Sequence, residues 1–535
     1  MNEENNYIES RYPSKRLCVF ARNGMAITGN ALASSAGIRI LQEGGNAIDA
    51  AIAMASTLCV VEPTANGLGS DNFALIWREG RLHGMNSSGK SPGLLSQEAI
   101  QAKHGPIQTM PVSGWTPVTV PGAVAGWVAM SERFGRLPFA QVLAPAIEYA
   151  KDGYPIGAQT ARMWNLALAK ARRDWRNDAQ YDGYFETFGY EVKAGQWVKL
   201  PSIASALEAI AQTRGAAFYT GSLAKRLEEE SVRHGGFLRA SDLAAHETLW
   251  VDPLSVRYRG YDIWELPPNG QGITALMALN TLRSFSCATR DADAIHLHIE
   301  AIKQAFVHSK AYVSDPLAMK VQTDDLLSEA FGKRCAGQIK PETAQSFGVS
   351  DPAHSGTVYL CAADREGNMV SMIQSNYMGF GSGIVVDGIS LQNRGADFSL
   401  ESGHVNVVAP GKRTYHTIIP GFLSKAGKPV AAFGVMGGYM QPQGHVQVLT
   451  NLLDFSMHPQ EALDAPRWMW KQGMEVAVEP AFDAKVVAAL RAKGHEIVVE
   501  PECSVFGRGQ ILWRLENGVY CGACESRTDS NIGCY

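Results

Sequence analysis

The sequence predicts a single globular fold that mixes helices with strands. Segments of helical and of strand periodicity alternate along the chain, no tandem repeat or low-complexity linker separates autonomous units, and the composition is that of a packed protein. Of 535 residues, 46% are hydrophobic and 19% charged, which is ample for a sizeable core at this length. Length alone would suggest three or four domains.

Residues 17–30 read as a strand, followed by a helix to about 43 and a long buried helix from Asn46. The stretch from Leu166 to Asp182, with Arg172, Arg173, Trp175 and Arg176, reads as a charged amphipathic segment. A solvated helix face explains it better than nucleic-acid binding, because the net charge is −4 and basic readers need a positive field. Further on, VYLCAAD reads as a strand, Asp364-Arg365-Glu366-Gly367-Asn368 as a turn, and the next apolar run as a second strand before a glycine-rich loop.

The isoelectric point near 6.4 gives no reason to expect nucleic acid or an anionic membrane as partner. MNEENNYIESRYPSKR lacks the basic and apolar regions of a secretory signal, and no run approaches 18 uninterrupted apolar residues, so the expected location is cytoplasmic. Nine cysteines favour free thiols in a reducing compartment. Cys521-Gly-Ala-Cys524 has no second half-site beside it, and a metal normally needs four ligands. His296 and His298, two apart in a helical stretch, point to different faces and make a poor metal pair. Without HExxH, P-loop or a convincing dinucleotide fingerprint, neither metal nor organic cofactor is expected.

The chemistry concentrates at His354-Ser355-Gly356-Thr357-Val358-Tyr359-Leu360-Cys361. A Thr that becomes a chain terminus carries nucleophile and base in one residue: its hydroxyl attacks a carbonyl while its own α-amine, with an ordinary pKa of about 7.7–8.0, takes the proton. Taken alone, Gly-Thr before a strand is also simply a turn followed by a β-former.

Six separated blocks decide between these readings. They are GGNAIDAAIAMASTLCVVEPTANGLGSDNFALIW (Gly44 to Trp77), PVTVPGAVAGWVAM, ELPPNGQGITALMALN, HIEAIKQAFVHSKAYVSDP, FGVMGGYMQPQGHVQVL and EALDAPRW. In content and order the chain resembles the γ-glutamyltranspeptidase (glutathione hydrolase) family of N-terminal nucleophile hydrolases. The resemblance implies an α+β fold, a four-layer αββα sandwich with two stacked sheets between helices. It also implies self-cleavage at Gly356–Thr357, giving a large fragment 1–356 and a small fragment 357–535 interleaved in one fold. Cleavage has a physical rationale: attack of the Thr357 hydroxyl on the preceding carbonyl makes an ester, water then frees the amine, and Gly356 leaves that carbonyl open.

By the same resemblance, Ser375 supports the nucleophile, and the backbone N–H groups of Gly437 and Gly438 form the oxyanion hole, where a side chain would block approach to about 3 Å. Asp397 matches the carboxylate that pairs with the α-ammonium of γ-glutamyl substrates. Other positions depart from the family. Ser88 stands where an arginine grips the substrate carboxylate, with Lys90 two residues on as a point charge of less fixed geometry. His416-Thr417 replaces paired serines, Tyr377 an asparagine, and Arg394 a glutamine.

Three functions follow. The first is γ-glutamyl transfer from glutathione or a γ-glutamyl amide to water or an amino-acid or peptide acceptor. It is favoured because Asp397 is retained and a glutaryl group has no α-amine to meet it. The second is cephalosporin or glutaryl-amide acylase activity. The third, of another class, is an uncleaved binding protein. Expected partners are the small-molecule amide and the chain's own two fragments; homo-oligomerisation is left open.

Overall fold

The computed structural model describes residues 16–347 and 356–535. The N-terminal stretch before residue 16, read above for a signal, lies outside the described residues, as do His354 and Ser355 of the Gly-Thr step.

Two seven-stranded sheets dominate. The first runs in the order 531–534, 24–28, 356–364, 369–377, 71–78, 81–87, 249–251, and the second in the order 19–21, 520–524, 508–514, 428–436, 421–425, 261–265, 254–258. Every pairing in both is antiparallel. In the strand Gly356–Asp364 the side chains split by alternation. Val358, Leu360 and Ala362 enter an apolar core beneath helices, whereas Tyr359, Cys361 and Ala363 enter a core shared with Phe422, Ala432 and Leu512 of the other sheet. A third core joins the outer face of the second sheet, at Phe433, Val435 and Ile511, to the helix Gly272–Leu282. Three stacked cores make four layers, helix–sheet–sheet–helix, which is the αββα sandwich.

The helix Ala47–Val61 is apolar on every side apart from Asp49, Ser56 and Thr57, and all fifteen residues are buried, as a helix without a polar face requires. Its start is fixed by a capping box. The Asn46 side chain accepts from the Ile48 and Asp49 amides, and Asp49 accepts from the Asn46 amide at 3.1 Å.

One element differs from the sequence expectation. Residues 17–30 are not one strand but two, Val19–Ala21 in the second sheet and Gly24–Thr28 in the first. The chain crosses between layers at Arg22-Asn23, and because both pieces are apolar on each side of this bend, periodicity runs straight through it. Cys521 and Cys524 lie on the strand Tyr520–Cys524 as free thiols. His298 is buried near Phe455, with ring centroids 6.1 Å apart. Among the described residues no helix is long and apolar enough to cross a membrane.

Phe422 is fully buried between the sheets and stacks on Trp77. The variant Phe422→Ala should lose about 3–5 kcal/mol of unfolding free energy, seen as a lower urea midpoint at unchanged slope.

Candidate active site

The strand Gly356–Asp364 pairs with Met369–Tyr377, but the register slips where the chemistry is expected. Gly356 faces Tyr377 and Val358 faces Gln374, so Ser375 and Asn376 together face the single residue Thr357. Such an irregularity re-aims a side chain. Here it sets the buried Thr357 hydroxyl 3.0 Å from Ser375 Oγ. Ser375 donates its one proton to the Gly356 carbonyl at 2.8 Å and accepts the Tyr377 amide at 2.8 Å, which leaves the Thr357 hydroxyl as donor to Ser375. The result is a directed path, Thr357 O–H to Ser375 O–H to Gly356 C=O. A hydroxyl so placed can attack the Gly356 carbonyl carbon while its proton passes through Ser375 to the carbonyl oxygen.

Glycine at 356 has a firmer reason than an open carbonyl. A Cβ there would lie 2.9 Å from the Gly379 nitrogen and 3.1 Å from both Ala65 Cα and the Thr64 oxygen. Gly437 and Gly438, with φ of 136° and 58°, turn the chain from the strand Lys428–Met436 into the helix Met440–Leu453, in backbone regions that side chains disfavour. Their carbonyls accept the Met440 and Gln441 amides at 3.0 and 3.1 Å. Their own N–H groups sit at the electropositive helix start and donate no hydrogen bond among the described residues. Gly356 and Gly437 both line one cavity of about 470 Å³.

A second cluster adjoins the first through Tyr377. The turn Arg394–Asp397 presents a carboxylate whose Oδ1 accepts the Tyr377 hydroxyl at 2.8 Å and the Tyr439 hydroxyl at 2.7 Å. Its Oδ2 lies 3.5 Å from Arg394 Nη1. Burial, reinforced by the Asp397 charge, pushes both phenols well above the ordinary tyrosine range, so both remain donors. Arg394 Nη1 donates to Thr417 Oγ1 at 2.7 Å, and the guanidinium lies 4.1 Å over the Tyr377 ring. Its Nε and Nη2 are buried without an acceptor among the described residues. Asp397 is thus satisfied by two hydroxyls and a cation, while the cation keeps donors to spare.

The structure joins Thr357, Ser375, Tyr377, Asp397, Arg394 and Thr417 by successive contacts. Three of the substrate-binding candidates lie outside that series. Ser88 is buried and donates to Asn86 Oδ1 at 2.8 Å. Lys90 is exposed on a separate cavity beside Asp242 and Arg413. His416 faces Asp71, with Nε2 3.0 Å from Oδ2, and accepts the Ile418 amide at Nδ1 at 3.4 Å. Burial pushes His416 well below its usual range, so it is a neutral ring donating through Nε2, and burial lifts Asp71 to about 7. Sequence reasoning missed Tyr439 and Lys310. Tyr439 directly follows Gly438, and the Lys310 ammonium contacts its hydroxyl and lies 3.8 Å over its ring.

The ligand atoms of His296, Glu300 and His495 come within 4.8 Å of one another. Internal partners already hold them: the Lys303 ammonium is 2.7 Å from Glu300, and the His296 ring contacts His495 at 2.8 Å and the Lys340 carbonyl at 2.9 Å.

The gamma-glutamyltranspeptidase family model matches residues 33–535. The chain superimposes on the crystal structure of a cephalosporin acylase from Bacillus halodurans with TM-score 0.95 and 48% identity, over 98% of each chain. It is 35% identical to a glutathione hydrolase-like proenzyme of Bacillus subtilis, over 96% of this chain and 98% of that one. It is also 33% identical to an oxamate amidohydrolase proenzyme of Klebsiella pneumoniae, with the same coverage.

The Asp71 shift has a definite sign. The folded state holds a proton that the unfolded state, with the usual value of 3.8, releases earlier, so this residue's contribution to stability falls as pH rises from about 4 to about 7. Asp71→Asn should flatten that part of the pH–stability curve, measured by denaturant unfolding at pH 4.5, 6 and 7.5.

Proposed function

Because this chain belongs to the γ-glutamyltranspeptidase family, we propose that it is a self-processed amidohydrolase with Thr357 as nucleophile, acting on amides whose acyl group ends in a carboxylate and lacks an α-ammonium. One observation carries the second half of this reading. Asp397, which would receive an α-ammonium, is already met by Tyr377, Tyr439 and Arg394, while buried Arg394 retains two N–H directions for an incoming carboxylate. The likeness to a cephalosporin acylase at 48% identity and to an oxamate amidohydrolase supports it. Oxamate itself combines an amide and a carboxylate without an α-ammonium.

Maturation begins on the hydroxyl path described above. Thr357 Oγ1 bonds to the Gly356 carbonyl carbon, the proton travels through Ser375, the C–N bond breaks, and water hydrolyses the resulting ester. The freed α-amine of Thr357 then serves as base. In turnover Thr357 Oγ1 attacks the substrate carbonyl, the Gly437 and Gly438 amides meet the oxyanion, the α-amine passes the proton to the departing amine, and water resolves the acyl-enzyme.

γ-Glutamyl transfer, the first choice from sequence, becomes the second reading. Retention of Asp397 favours it, and it requires the two tyrosine hydroxyls to give up Oδ1 to the substrate ammonium.

Glutaryl anilide should exceed γ-glutamyl anilide in kcat/KM by about tenfold or more; the opposite order restores γ-glutamyl transfer to first place. Arg394→Gln should lower glutaryl kcat/KM by about thirtyfold or more. By mass spectrometry the 57.9 kDa chain should resolve into fragments 1–356 and 357–535. Thr357→Ala should remain whole, and Ser375→Ala should cleave at least about a hundredfold more slowly. A wild-type chain that stays intact on prolonged incubation leaves the uncleaved binding protein as the better reading.

A further inference from the structure

Neither charged side chain of the Arg394–Asp397 cluster lines the cavity that contains Gly356 and Gly437. Substrate bound with its acyl carboxylate at Arg394 would therefore direct its amine portion into this space. The inference rests on the acyl-transfer reading above. We propose that this cavity is the leaving-amine subsite and that it selects bulky apolar amines over small polar ones.

The walls carry the argument. On the helix Ala158–Asp174, Met163, Leu166 and Ala167 follow i, i+3, i+4 spacing and share one face, and that face borders the cavity. The same segment reads from sequence as a solvated charged face; its apolar side is what the cavity uses. Leu166, 53% exposed, and Val112, 47% exposed, both line it. Two large apolar side chains standing half in water on the wall of one cavity gain cover when an apolar group packs against them.

The aromatic part of the wall is fixed beforehand. Trp175 stacks on Tyr181 at 4.9 Å and 11°, and meets Tyr184 edge-on at 5.3 Å. Gly383 passes so close beneath its ring that a Cβ there would lie 2.8 Å from it. Phe380, at the inner end, is held against Phe188 at 4.7 Å and edge-on to Trp164 and Tyr184. Side chains already locked in place lose little entropy when a ligand packs on them. Ammonia is too small to cover this apolar surface, and the charged remainder of the wall, Lys170, Glu500, Glu502 and Arg508, leaves the apolar part as the ground for selection.

The test compares two amides whose leaving amines have similar basicity, glutaryl phenethylamide and the glutaryl primary amide. The expected kcat/KM ratio for the mature wild-type enzyme is about ten or more in favour of the phenethylamide. Leu166→Asp and Trp175→Ala should each lower that ratio about fivefold. Leu166 is half exposed, so its variant keeps the test available if Trp175→Ala misfolds. A wild-type ratio near one, or a ratio unchanged in a folded variant, overturns the subsite. No turnover of either amide by the processed enzyme overturns the carboxylate-amide reading itself, and the subsite with it.

Discussion

The hydroxyl of Ser375 is the junction on which the rest of the site depends. It accepts the Tyr377 amide, donates to the Gly356 carbonyl and receives Thr357, so the direction of every proton around Thr357 follows from a single donor being committed. The slip in register makes this possible, because a regular ladder would place one residue, not two, opposite Thr357. The sandwich behind it supplies rigidity. The strand carrying Thr357 has a neighbour on each side and a core on each face, and the nucleophile role proposed for Thr357 requires placement to within a fraction of an ångström.

Desolvation governs the neighbouring cluster. A carboxylate and a guanidinium buried together are expensive unless hydrogen bonds complete them. Asp397 meets that demand with two phenols whose own ionisation is suppressed by burial. Arg394 meets only part of it. The anion is satisfied while the cation keeps unpaired donors, and it is this asymmetry that supports the proposed preference for a carboxylate.

Much of this was legible in the sequence because certain residues carry their reasons locally. Asn46 and the apolar run after it announce a buried, capped helix, and the alternation after Gly356 announces a strand with two covered faces. The family's blocks, read in order, brought Ser375, Asp397 and the tandem glycine to the neighbourhood of Thr357. What stayed hidden depends on contacts distant in the chain. The departures from the family at 88, 394 and 416 leave Lys90, Arg394 and His416 as groups that can rebuild the carboxylate grip, but Lys90 lines another cavity and His416 is committed to Asp71, 345 positions away. Tyr439 reads as one more aromatic residue until its hydroxyl is seen on Asp397. The two strands within 17–30 likewise look like one, since a change of layer leaves no mark on periodicity.

The strand Gly356–Asp364 lies between Gly24–Thr28, far upstream, and Met369–Tyr377, just downstream. An uncut chain reaches that arrangement by a first-order search. If the backbone is severed at Gly356 as proposed, the same arrangement could be regained only by an encounter between two separate molecules, neither of which owns a complete sheet. Such a cut would change the reaction order of refolding while leaving the native contacts in place. A two-fragment protein of this kind would owe its persistence to the slowness with which it comes apart, and its folding would have to be complete before the cut.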